Sequence, residues 1–109
     1  MPLRGTSRFV PRGSVTVAIE NRTNPTGYGV VANLSRGGAC VWTNAGVEVG
    51  QELSLSLSFA CDTLPVPTEG RVVWTAPLDG HAGHSCGVQW NSDVSEERER
   101  LHEMIDASA

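Results

Sequence analysis

The sequence contains no lysine; all eight of its cations are arginine. It has only three cysteines, Cys40, Cys61 and Cys86, widely spaced and without a Cys-x-x-Cys pair. An odd, scattered set of thiols argues against a disulfide framework and for a reducing, cytoplasmic compartment. No apolar run approaches the roughly 18 residues that a membrane helix requires. The N-terminus lacks the apolar core of a secretory signal. No Ser/His/Asp or Cys/His arrangement stands in a recognised catalytic motif. Carboxylates are dense only near the C-terminus, where a solvated helix face accounts for them. These absences point to a non-enzymatic protein with no membrane segment. At 109 residues the chain has the length of one domain, able to bury a modest core without staples.

What is present is unevenly distributed. The net charge is −4, but residues 1–36 carry +4 and residues 37–109 carry −8. An acidic body repels a polyanion, so a polymeric nucleic acid is a poor partner. A local cluster of arginines still suits a small anion, through bidentate, charge-assisted hydrogen bonds. Residues 1–13 contain Arg4, Arg8 and Arg12 at every fourth position, with Phe9 and Val10 between the last two. Gly5, Pro11 and Gly13 argue against a helix, and the segment reads as a flexible, extended arm. Residues 14–109 then form one domain.

That domain reads as strands followed by one helix. Val15, Val17 and Ile19 alternate with Thr16, Ala18 and Glu20, a half-buried strand. Asn21–Gly27 is a turn by composition. Tyr28–Leu34 and Gly38–Thr43 follow as strands, and Asn44-Ala45-Gly46 is a turn. Gln51–Ala60 holds the clearest pattern: Leu53, Leu55, Leu57 and Phe59 face one way and Ser54, Ser56 and Ser58 the other. Cys61–Pro67 reads as a loop, Thr68–Ala76 as the fifth strand, Pro77–Gly83 as a loop, and Ser85–Trp90 as the sixth strand. The period then lengthens. Val94, Leu101, Met104 and Ile105 share a helical stripe over about 94–107, with Asp93 and Glu96 at capping-box spacing. The expected fold is all-β: a six-stranded antiparallel barrel, closed to remove its edges, with a C-terminal α-helix.

The stretch Asn33-Leu34-Ser35-Arg36-Gly37-Gly38 joins two of these strands. It is richer than a tight turn needs. Asn33 offers a donor and acceptors, and Ser35 a rotatable hydroxyl. Gly37 and Gly38 either take φ > 0 or let another group come close. A plain polar turn explains the hexapeptide alone; half of a ligand clamp explains it together with the arm. Guanine offers N7 and O6 to an arginine fork and N1–H and N2–H to an acceptor such as the Asn33 amide. Arginine planes also stack on purines. Arm and loop together therefore fit a guanine nucleotide with internal phosphates.

These residues resemble the PilZ domain family, whose members bind the bacterial second messenger cyclic di-GMP. Its pattern is Arg-x-x-x-Arg in an N-terminal arm, then Asp/Asn-x-Ser-x-x-Gly some 20 to 25 residues on. Arg4-Gly5-Thr6-Ser7-Arg8 and Asn33-Leu34-Ser35-Arg36-Gly37-Gly38 match it. Gly38-Ala39-Cys40-Val41, Gly70-Arg71-Val72-Val73-Trp74 and Gly87-Val88-Gln89-Trp90 also sit where such domains carry similar strand patterns. The resemblance spans nearly the whole chain. It implies a PilZ-like split barrel and a cyclic di-GMP site in which Arg4 and Arg8 hold guanine and phosphate. Asn33 and Ser35 then read a guanine, and Gly38 shapes the loop. Arg12, Arg36 and Gly37 are further candidates, since Arg8-Phe9-Val10-Pro11-Arg12 is a second, overlapping Arg-x-x-x-Arg. Leu3 stands where relatives with two stacked ligands carry another arginine, which implies one ligand.

Other features weigh less. His81, His84 and Cys86 lack a carboxylate companion for a metal, and no metal or cofactor is expected beyond the ligand. Cys40 and Cys86 read as small buried residues. Trp42, Trp74 and Trp90 fall within strands and read as core rather than as a stacking surface for single strands. The implied function is a cyclic di-GMP receptor that orders its arm on binding and signals in trans to an effector protein, in motility, adhesion or biofilm control. The alternative is a PilZ-like interaction adaptor that binds no nucleotide.

Overall fold

The computed structural model of the protein describes residues 8–11, 13–20, 27–60, 64–78, 83–91 and 95–108, with 95–98 described by backbone alone. Arg4, Arg12, His81, residues 21–26 of the expected Asn21–Gly27 turn and the Asp93 cap lie outside the described residues, and Gly27 opens a strand.

The chain forms six strands, with apolar–polar alternation sharpest in the first and fourth: β1 (Val15–Glu20), β2 (Gly27–Leu34), β3 (Gly38–Thr43), β4 (Glu52–Phe59), β5 (Val66–Pro77) and β6 (His84–Trp90), followed by helix α1 (Ser95–Ala107). The strands close into a barrel in the order β1-β2-β3-β6-β5-β4, every pairing antiparallel. This is the expected fold class. The β4 leucines and Phe59 are buried, as are Val15, Val17 and Ile19 opposite them. Leu101, Met104 and Ile105 of α1 join the same core. The helical stripe therefore packs on the barrel, against β5.

Three expectations need correction. β5 begins at Val66, and Pro67 is paired with Ser56 rather than lying in a loop. β6 first pairs at Gly70, so the edge of β5 facing it is open at Pro67 and tolerates a residue without an N–H. Trp42 is not core: it is 51% exposed, because Val41 and Thr43 on either side take the inward positions. Trp74 and Trp90 are half-buried, and of the three only Trp90 packs against the core cluster. Cys40 and Cys86 are buried free thiols, as expected.

Two irregularities break the ladders. In β2 the pairing passes from Val31↔Val41 to Asn33↔Cys40, leaving Ala32 as an extra residue. In β5 it passes from Val72↔Val88 to Trp74↔Gly87, leaving Val73 extra. Each is a bulge, and each reverses the in–out alternation beyond it. Without the Ala32 insertion Asn33 would point into the barrel and Leu34 out of it. Instead Leu34 is fully buried and Asn33 lies on the outer surface.

Candidate functional site

The bulges bring four side-chain positions into one lateral row. Asn33 pairs with Cys40, Cys40 with Gly87, and Gly87 with Trp74. Alternation puts all four on the outside of the barrel, since Val41, Cys86, Val88 and Val72 beside them belong to the core. Gly87 leaves the place open: a Cβ there would overlap the Trp74 indole, which lies flat across the glycine. Beside the indole is a depression of about 300 Å³ lined by Arg8, Ala39, Val73, Trp74, Gly87, Val88 and Gln89.

The arm reaches this row through a two-bond bridge. Phe9 N–H donates to Leu34 O at 3.0 Å, and Leu34 N–H to Phe9 O at 2.8 Å. Phe9 packs on the core. Its neighbour Arg8 is exposed, borders the depression, and has no ion-pair partner among the described residues. Asn33 Oδ1, like Thr68 Oγ1 and Asn91 Oδ1, is buried and without a hydrogen-bond partner among the described residues. A buried amide oxygen left so costs roughly 1–3 kcal/mol.

The loop after β2 closes on itself. Ser35 N–H donates to Gly38 O at 2.8 Å and Gly38 N–H to Ser35 O at 3.3 Å. The Ser35 hydroxyl donates to Gly38 O and accepts from Gly38 N–H, both at 3.2 Å, and is buried. Ser35 therefore shapes the loop. Gly38 does not use a positive φ; among the described glycines Gly50 and Gly83 do. Close approach is its reason, since a Cβ would run into the Val88 carbonyl oxygen of β6. Trp90 holds the loop from that strand: its N–H donates to Gly37 O at 3.0 Å and its indole N–H to Ser35 O at 3.4 Å.

Arg36 points elsewhere. Its guanidinium donates to both carboxylate oxygens of Asp106 on α1, at 3.2 and 2.6 Å. These hydrogen bonds hold the Asp106 carboxyl below its usual range and raise the arginine further. Cys86 is the other shifted group. Burial, and then the neighbouring Cys40, push its thiol up to about 11, so it is not a nucleophile at neutral pH. No cluster of three metal-ligating groups occurs among the described residues.

A model of the PilZ domain family matches residues 2–107. The chain belongs to the PilZ domain family. Comparison with curated protein sequences gives no match. Among solved structures, the PilZ domain of YcgR from Escherichia coli with c-di-GMP has a TM-score of 0.77 at 11% identity, covering 96% of this chain and 90% of that one. The MrkH–c-di-GMP complex of K. pneumonia has a TM-score of 0.75 at 14% identity, covering 94% of this chain and 51% of that one. MotI/DgrA, an inhibitor of motility from Bacillus subtilis, has a TM-score of 0.71 at 16% identity, covering 98% and 51%. This PilZ chain thus spans about half the length of MotI and MrkH.

Of the residues singled out in the sequence, Arg8, Asn33, Ser35, Gly37 and Gly38 gather at one end of β2, while Arg36 faces the helix. Trp74 and Gly87 were visible only as parts of strand patterns. Nothing short of the strand register shows that they share a row with Asn33.

Proposed function

We propose that this PilZ chain is a receptor for cyclic di-GMP, bound on the outer row from Asn33 to Trp74. The observation that carries the reading is the buried Oδ1 of Asn33, without a hydrogen-bond partner among the described residues, at one end of a row with the half-buried Trp74 indole at the other. Guanine N1–H or N2–H supplies the donor that the oxygen lacks. The row crosses three strand spacings, about 14 Å, enough for a dinucleotide lying across it. Trp74 offers a stacking platform, and Arg8 a fork for a phosphate or for guanine N7 and O6. Arg4 completes the pair, with Arg12 auxiliary. The binding of c-di-GMP by YcgR and MrkH supports the same ligand here.

In this reading residues 1–13 form the arm and residues 14–109 the barrel unit. Ligand orders the arm through arginine contacts made only in the bound state, and the altered surface signals to an effector protein in the cytoplasm, without catalysis. The adaptor alternative draws on the exposed Tyr28, Val30 and Trp42, an apolar strip that needs no nucleotide to be presented. Calorimetric titration with cyclic di-GMP separates the two. A receptor binds at micromolar concentration or tighter, and Arg8→Ala weakens it about tenfold or more, the loss of a charged hydrogen-bond partner. No heat at high ligand concentration overturns the proposal.

A further inference from the structure

We infer that Asp106 is a positioning residue for the ligand loop, holding Arg36 so that Asn33 and Ser35 keep their geometry before the nucleotide arrives. The inference rests on the cyclic di-GMP reading of the site. The loop from Ser35 to Gly38 is fastened by the Phe9–Leu34 bridge before it, by its own Ser35–Gly38 bonds, and by Trp90 at the Ser35 and Gly37 carbonyls. Its exposed tip is Arg36, and the two-pronged bond to Asp106, 70 positions away in sequence, is what ties that tip to another element.

Three observations argue that the tether has a purpose. Asp106 lies in the last turn of α1, which has no basic residue. The negative end of the helix dipole disfavours a carboxylate there. Local rules are broken where another demand overrides them, and here the demand is a fork-to-fork partner for the loop. Second, the anchor is rigid. Leu101, Met104 and Ile105 are buried in the core, and the turn is closed by Ser108, whose N–H donates to Met104 O and Ile105 O and whose hydroxyl donates to Met104 O. Third, Arg36 does not border the depression beside Trp74, so its charge is directed at the helix rather than at that cavity.

The test is a double-mutant cycle read by ligand affinity and by amide exchange in the full chain. Both Asp106→Asn and Arg36→Ala weaken cyclic di-GMP binding by a similar factor, roughly two- to fivefold, in the range of an exposed pair. The double variant is no weaker than the worse single one, and Asp106→Glu recovers most of the loss. Exchange of the Ser35 and Gly38 amides quickens in both single variants while Val41 exchange stays as it was. A loss for Arg36→Ala far beyond that for Asp106→Asn overturns the inference, since Arg36 then grips the ligand itself. So does Asp106→Asn binding as tightly as the wild type or tighter. Wild-type protein that takes up no cyclic di-GMP removes the site reading, and this inference with it.

Discussion

The barrel has a regular half and an irregular half. Along β1 and β4 six consecutive residues pair without interruption, from Val15↔Phe59 to Glu20↔Ser54. Their inward side chains are all large and apolar, and their outward ones are Thr16, Ala18, Glu20 and the β4 serines. β2 and β5 each carry one extra residue, and both extras border the same row, Asn33–Cys40–Gly87–Trp74. The difference teaches where the fold is anchored and where its outer surface departs from plain alternation. Strict alternation maximises burial and leaves an inert outer face. A bulge sacrifices ladder bonds but re-aims side chains, here an amide and an indole, onto the surface.

The largest expected effect lies in the regular half. Leu57 is fully buried, so Leu57→Ala should cost about 2–5 kcal/mol in urea unfolding, without changing cyclic di-GMP affinity while the protein stays folded. A cost below that range would remove the contrast, because the regular half would no longer be the anchor. Gly38→Ala comes next. Its Cβ meets backbone, the Val88 carbonyl, which cannot step aside. Overpacking of this kind costs about 1–3 kcal/mol. Here stability and affinity should fall together, since the same displacement moves the loop that carries Ser35. Unchanged melting and affinity would refute the close-approach argument.

Which parts were legible follows from the same contrast. The β4 stripe announces its two faces because serine and leucine differ so sharply, and the C-terminal stripe announces a helix by its longer period. Asn33, Ser35 and Gly38 stand out because a tight turn does not need them. The bulges are silent, since Ala32 and Val73 are ordinary strand residues and only pairing reveals that they are surplus. The outward Trp42 was obscured for a related reason: in Gly38–Thr43 both faces are apolar or small, so alternation gives no sign of which is wet. Pro67 misled because its tolerance depends on how far β6 reaches, a fact of register. The Arg36–Asp106 pair was equally silent, because Asp106 is remote in sequence and sits where a helix would prefer a cation.

Gly87→Ala sharpens the comparison from the other side. The nearest atoms to its Cβ all belong to the Trp74 side chain, not to backbone as at Gly38. Melting should shift little, by the order of 1 kcal/mol or less, as at other tolerant sites. Affinity should fall roughly tenfold, the worth of one base–aromatic stack. Equal losses of stability and affinity would mean that Trp74 is a structural strut rather than a platform.

The smallest effect concerns pH and the Arg36–Asp106 tether. Asp106 has a depressed folded-state pKa, held down chiefly by the hydrogen bonds from Arg36. A depressed carboxyl contributes above its unfolded value, about 3.9, and the contribution is lost as pH falls through the lower, folded value. Arg36 stays charged throughout, its own pKa being raised. Between pH 8 and 5 the tether should therefore be constant, and the exchange of the Ser35 and Gly38 amides, corrected for intrinsic rates, should be flat. Loosening should begin only below about pH 4, where Asp106 takes up its proton. Added salt should mimic it weakly at neutral pH, because both partners are more than half exposed and screened. Asp106→Asn should erase the acid step at these two amides while leaving any acid loosening of β1 and β4 in place. A step near neutral pH would instead show that the loop is not held through the Asp106 carboxylate.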